Sequence, residues 1–252
     1  MTSLLRASVA ILSLLAATAA RADDLVILSA AAVRPALIQI PALFEKATGH
    51  RVTVSFGNAT AIAAKVVDGD RVDGVILPPP QLTALIGHGH LSADGRTDLG
   101  VVRLGVAVRD GSPPLRVSTA DEFKQAMLAA ASFGMPDPGD GSTSSQHMVK
   151  LLAQLGIADA MRPKIRHFKD GTEALHALAK GEIALTIAPM TSIRVVPGVA
   201  LAGPLPDALQ STTVYAAALS RKTTSEPAKA LLATLTSAAF AAVLRDKGID
   251  PP

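Results

Sequence analysis

The stretch RVTVSFGNATAIAAKVVDGD (Arg51–Asp70) changes its period half-way along. In RVTVSF (Arg51–Phe56) apolar and polar side chains alternate, which is the period of a half-buried strand. Gly57 and Asn58 make a polar turn, and TAIAAKVVDGD then reads as a helix. VDGVILP (Val72–Pro78) follows as a short apolar run of strand type. Strand, helix and strand in that order predict an α/β fold with a mostly parallel sheet.

Working outward, the alternation repeats. LVILSA (Leu25–Ala30) reads as a strand. Pro35 to Ala47 reads as one helix with Leu37, Ile40, Leu43 and Phe44 on one face. Downstream, QLTALIGHGHL is helical, VVRLGVAVR (Val101–Arg109) a long strand, DEFKQAMLAA helical and SFGMP a strand. Ser142 to Leu155 is helical, KIRHFK strand-like, GTEALHALAKGE helical and IALTIAP a strand. TTVYAAALS (Thr212–Ser220) is the last strand, and Glu226 to Lys247 reads as one helix. No internal repeat interrupts this order. The two long strand runs are expected to carry the chain between lobes, with residues 23–104 and 216–252 in one lobe and 105–215 in the other.

Residues 1–22 have the form of a secretory signal. Arg6 is the basic start, Ala10–Ala20 the apolar middle, and Ala20-Arg21-Ala22 a small-residue cleavage site before Asp23. The apolar run is shorter than the roughly 20 residues a membrane span requires, and no later stretch is long and apolar enough. A soluble, exported, periplasmic protein is expected. The chain has 252 residues and no cysteine, which excludes thiol catalysis and iron–sulfur clusters. Its formal charge is +3, and removal of Arg6 and Arg21 leaves +1. The basic residues are scattered and aromatics are few, which argues against a nucleic-acid surface.

In open α/β sheets ligands sit where strands end and helices begin, and helix N-termini favour anions. The first such loop, SAAAVRPAL, offers Ser29 and Arg34. The second, SFGNATAIA, offers Asn58 and Thr60. The third, PDPGDGSTSSQ, sets Ser142, Thr143, Ser144 and Ser145 before a helix, a denser donor set than a cap needs. The fourth, FKDGTEAL, has Gly171 and Thr172 at a helix start, and the fifth has Thr191 and Ser192 after IALTIAP. At each loop plain helix capping stands beside the anion-binding reading. His88 and His90 lack further ligands at metal spacing apart from Asp94. His147 lies one helical turn after Ser144, but no nucleophile elbow surrounds that serine.

Taken together, several segments resemble the periplasmic molybdate-binding proteins of ABC transporters, within the type II solute-binding class. They are ILSAAAVRPAL, FEKATGHRVTVSFGNATAIAAKVVDG, MPDP…LLAQLGI, FKDGTEALHALAKGEIALTIA and the C-terminal RDKGID, and together they cover residues 24–252. The resemblance implies two mixed-sheet α/β lobes joined by a two-stranded hinge and closing over an anion. It also implies an ABC permease as partner, a monomer, and no cofactor. This chain departs from the family at three positions. Ala32 and Ala59 stand where those proteins have serine hydroxyls, and Pro189 where they have a tyrosine. The site is therefore expected to take a small anion, either a molybdate-like oxyanion or, favoured by these changes, a carboxylate-bearing metabolite with Arg34 a bidentate partner. Ser142 to Ser145 should face Arg34 and Asn58 across the cleft. Some relatives of this class resemble enzymes, aconitate isomerase among them. An isomerase would need a proton acceptor, for which His147, Asp140 and Asp170 are the candidates.

Overall fold

A parallel pair starts the sheet. In the computed structural model, which describes residues 24–140 and 143–252, β1 (Asp24–Ala30) lies beside β2 (Arg51–Gly57). The expected signal segment, Asp23 and Ser142 fall outside the described residues. The alternation in β2 becomes a half-buried edge: Arg51, Thr53 and Ser55 are exposed while Val52 is buried. β3 (Gly74–Leu77) is buried at every residue, as an apolar strand covered on both faces should be. It runs parallel to β1 and is followed by α4 (Pro79–Gly87).

The helix expected over Pro35–Ala47 is two helices, α1 (Arg34–Leu37) and α2 (Ile40–Thr48). Pro41 has no N–H to give to the Leu37 carbonyl, so one helix ends and another begins with proline in its first turn. α3 (Ala59–Val67) follows β2. The C-terminal helix is likewise divided, into α10 (Glu226–Leu235) and α11 (Ala238–Asp246), bent by 49°. The hydroxyls of Thr234, Thr236 and Ser237 donate to carbonyls of the preceding turn. Ser237 then caps the new helix by accepting from the Phe240 N–H at 3.1 Å.

β4 (Thr97–Arg109) is the longest strand. α5 (Ala120–Ala129), β5 (Phe133–Pro136), α6 (Thr143–Gln154), α7 (Ala158–Met161) and β6 (Ile165–Phe168) follow. Then come α8 (Gly171–Ala179), β7 (Leu185–Pro189), α9 (Met190–Ile193), β8 (Val199–Pro204) and β9 (Thr212–Leu219). The strand order is β2-β1-β3-β9-β4-β7-β5-β6, with β8 also paired to β4. The sheet is mixed rather than mostly parallel. The outer pairs are parallel, but β9 runs antiparallel to β3 and β4, and β7 and β8 run antiparallel to β4. β8 has no counterpart in the sequence reading, because VALAGP is short and rich in small residues.

The apolar core changes over along β4. Val102 belongs to a cluster drawn from residues 25–102 and 215–249, and Leu104 to one drawn from residues 104–209. Between them, β9 pairs with β4 as far as Arg103 and β8 takes over from Gly105. Leu104 falls in the gap. The Gln210 side chain fills it: Oε1 accepts from the Leu104 N–H at 2.9 Å and Nε2 donates to the Leu104 carbonyl at 3.1 Å. Replacing Gln210 by Ala leaves a buried N–H without its partner. Urea unfolding of Q210A should show a loss of about 1–3 kcal/mol. An unchanged stability would show that the amide plays no structural part.

Candidate functional site

Register brings the loops together. Ala30 at the end of β1 lies opposite Gly57 at the end of β2, and Pro136 at the end of β5 opposite Phe168 at the end of β6. The turns that follow these strands, with the turn after β7, surround a cavity of about 350 Å³. That is the lower end of the size range of small-molecule sites. Residues from both halves of the core line it. Arg34, Asn58 and Ala59 stand on one side, and Ser144, Asp170, Thr172, Pro189 and Ser192 on the other.

Arg34 follows the short 3-10 turn Ala31–Val33 at the end of β1, and Pro35 fixes the first turn of α1 behind it. Its guanidinium carbon stands 4.9 Å from the centroid of the Phe56 ring, a cation–π contact that orients the fork. Among the described residues no carboxylate pairs with it. Asn58 caps α3, its Oδ1 accepting from the Ala61 N–H at 2.7 Å, which leaves the amide N–H₂ for the cavity. Asp170 caps α8 with a single oxygen, Oδ1, which accepts from the Thr172 and Glu173 N–H groups at 2.9 Å each. The helix N-terminus favours the charge on that carboxylate.

The sequence candidates divide into two groups. Arg34, Asn58, Ser144 and Gly171 line the cavity. Ser29, Thr60, Ser145 and Thr191 do not. Ser29 is fully buried within the sheet and donates to the Ala30 carbonyl. Thr60 is exposed on the first turn of α3, and Ser145 is buried one residue beyond the lining Ser144. Thr191 is fully buried and donates to the Ala32 carbonyl at 2.7 Å, joining the two halves of the chain instead of meeting a ligand. Of the two serines of GSTSS whose side chains are described, Ser144 lines the cavity and Ser145 does not. Thr143 begins α6, its side chain, like that of Asp140, lying outside the description, as does Ser142.

Thr172 and Ser192 of the named loops also line the cavity, and two lining residues were not singled out as ligand contacts: Asp170 and Tyr215. Asp170 reads as a cap, and Tyr215 lies inside a strand. Tyr215 is the single tyrosine of the chain and is buried on β9. It reaches the cavity that Pro189, at the family's tyrosine position, also lines. The three departures Ala32, Ala59 and Pro189 all face the same space. His147 does not: its Nε2 stands 2.8 Å from the Leu209 carbonyl.

These features coincide with what comparison with known proteins shows. Residues 25–250 match the model of the bacterial extracellular solute-binding proteins, and the chain belongs to that family. The curated aconitate isomerase of a Pseudomonas species is 29% identical over 234 residues, covering 90% of this chain and 87% of its own. Among solved structures, the periplasmic molybdate-binding protein of Azotobacter vinelandii superimposes with a TM-score of 0.77 at 17% identity. It covers 90% of this chain and 99% of its own. L-phospholactate-bound PEB3 superimposes with a TM-score of 0.71 at 14% identity, covering 91% and 100%. The fold is that of the periplasmic binding proteins.

The cap on α3 can be weighed separately from any ligand. Asn58→Ala should lower stability by about 1 kcal/mol, while Asn58→Asp, which keeps the accepting oxygen, should stay near wild type. Equal melting temperatures for N58A and wild type would show that the bond contributes nothing.

Proposed function

We propose that this chain captures a small organic acid, through its carboxylate, between two lobes and delivers it to an ABC permease in the periplasm. One lobe comprises residues 23–104 and 216–252 and the other residues 105–215, with β4 and the chain entering β9 as the hinge. The observation that carries this reading is Arg34. It is a guanidinium in the cavity, held on Phe56 and without a carboxylate partner among the described residues. A planar fork matches a carboxylate with two parallel hydrogen bonds, the geometry for which arginine is favoured over lysine. The positions where the molybdate-binding proteins supply hydroxyls are alanines here, so a tetrahedral oxyanion loses donors that a carboxylate on Arg34 does not need. Asn58, Thr172 and Ser192 supply further donors around the same space.

A second reading is an isomerase on this scaffold, and the observation that favours it is the aconitate isomerase relative. Moving a double bond within an unsaturated acid requires a group that accepts a proton from carbon. Of the three candidates named from sequence, Asp170 lines the cavity and His147 does not.

A ligand bound only by the folded state raises the melting temperature by mass action. Among molybdate, tungstate, sulfate, phosphate, citrate and cis- and trans-aconitate, the carboxylates should give the large shifts. Arg34→Ala should weaken the best of them about tenfold or more by calorimetry, and Arg34→Lys should restore little. A large shift with molybdate and none with any carboxylate sinks the proposal. NMR of aconitate incubated with the protein decides the second reading, since interconversion of the isomers is direct evidence of catalysis.

A further inference from the structure

A carboxylate and several donors line the same cavity. Arg34 and Asp170 are the two side chains of opposite charge that line it. Asp170 Oδ1 is saturated by the Thr172 and Glu173 N–H groups. Oδ2 has no partner among the described residues. A ligand made of carboxylates alone would satisfy Arg34 and bring its other oxygens toward a carboxylate that cannot donate to them. Two acceptors brought together cost free energy, and like charges add to that cost.

On the reading that the ligand is an organic acid, we infer that it also carries a hydroxyl group and gives that hydrogen to Asp170. Asp170 then selects hydroxy acids from acids of the same size. A hydroxyl fits better than an ammonium, because the N-terminus of α8 already offsets part of the carboxylate charge, so a neutral donor suffices. The hydrogen bond is to a charged acceptor, the stronger kind. Donors on Arg34, Asn58, Thr172 and Ser192 are left for the ligand's carboxylate oxygens.

The test uses matched acids on the purified protein: succinate, malate and aspartate, then tricarballylate and citrate. Titration calorimetry should find malate tighter than succinate, and citrate tighter than tricarballylate, by about tenfold or more. In Asp170→Asn these gaps should shrink to within about threefold. D170N should also bind succinate and tricarballylate more tightly than wild type does, because the like-charge opposition is removed. A residue that only supports the fold would weaken both members of a pair together. Asparagine caps helices as well as aspartate, so the melting temperature of ligand-free D170N checks that α8 stays capped. Equal affinities within each wild-type pair, or gaps that survive D170N, overturn the inference while leaving the organic-acid reading intact. Aspartate binding more tightly than malate assigns the donor to an ammonium and also overturns it. If none of the five acids binds, the organic-acid reading fails, and this inference with it.

Discussion

Leu104 needs a hydrogen-bond partner that neither neighbouring strand provides, and the architecture turns on how that need is met. β4 is one unbroken strand, yet the strand beside it changes from β9 to β8 at this residue. Where a peptide group would normally stand, the carboxamide of Gln210 donates and accepts in its place. Its Nε2 also reaches the Leu205 carbonyl at 3.1 Å, and the Leu205 N–H reaches the Leu104 carbonyl at 3.1 Å. A side-chain amide sits on rotatable bonds, so it can follow small rotations of the backbone that would break a rigid ladder. The apolar cores change over at the same place, between Val102 and Leu104. The crossing is therefore thin in packing but complete in hydrogen bonds.

Everything in the cavity follows from that arrangement. Two parallel-stranded groups end their strands toward one space, and each supplies turns that open helices there. The half containing β1 brings the cation, and the half containing β6 brings the carboxylate. Elsewhere the lining is largely apolar and small, with Ala32, Ala59, Ala61 and Pro189 giving width where bulkier or hydroxylated residues would give contacts. Polar groups therefore stand at discrete points on a wall that is otherwise apolar.

Much of the fold was legible because strand and helix periods differ so clearly in segments such as Arg51–Asp70. What was missed has local causes. Pro41 divides a helix whose apolar face continues through it, and the hydroxyls at Thr234–Ser237 do the same near the C-terminus. Val199–Pro204 forms a strand only because β4 offers an edge, a tertiary fact that its own residues do not announce. At the site, Arg34 and Asn58 could be found from the rule that strand ends face ligands. Thr191 could not be separated from Ser192 by that rule. Adjacent residues on one turn point in different directions, and here the threonine is buried while the serine faces the cavity. Asp170 was legible as a cap, but a cap that uses one oxygen and exposes the other has no signature in sequence.

The Thr191 hydroxyl has a consequence beyond burial. Its bond to the Ala32 carbonyl ties α9 to the short turn that immediately precedes Arg34. The cation is thus anchored to its own strand through the backbone and to the opposite half through one hydroxyl. That hydroxyl links the two sides of the cavity through a contact in which no ligand takes part. The backbone that carries the guanidinium is thus tied to the far wall two residues before it, as a rivet joins two plates near their edge.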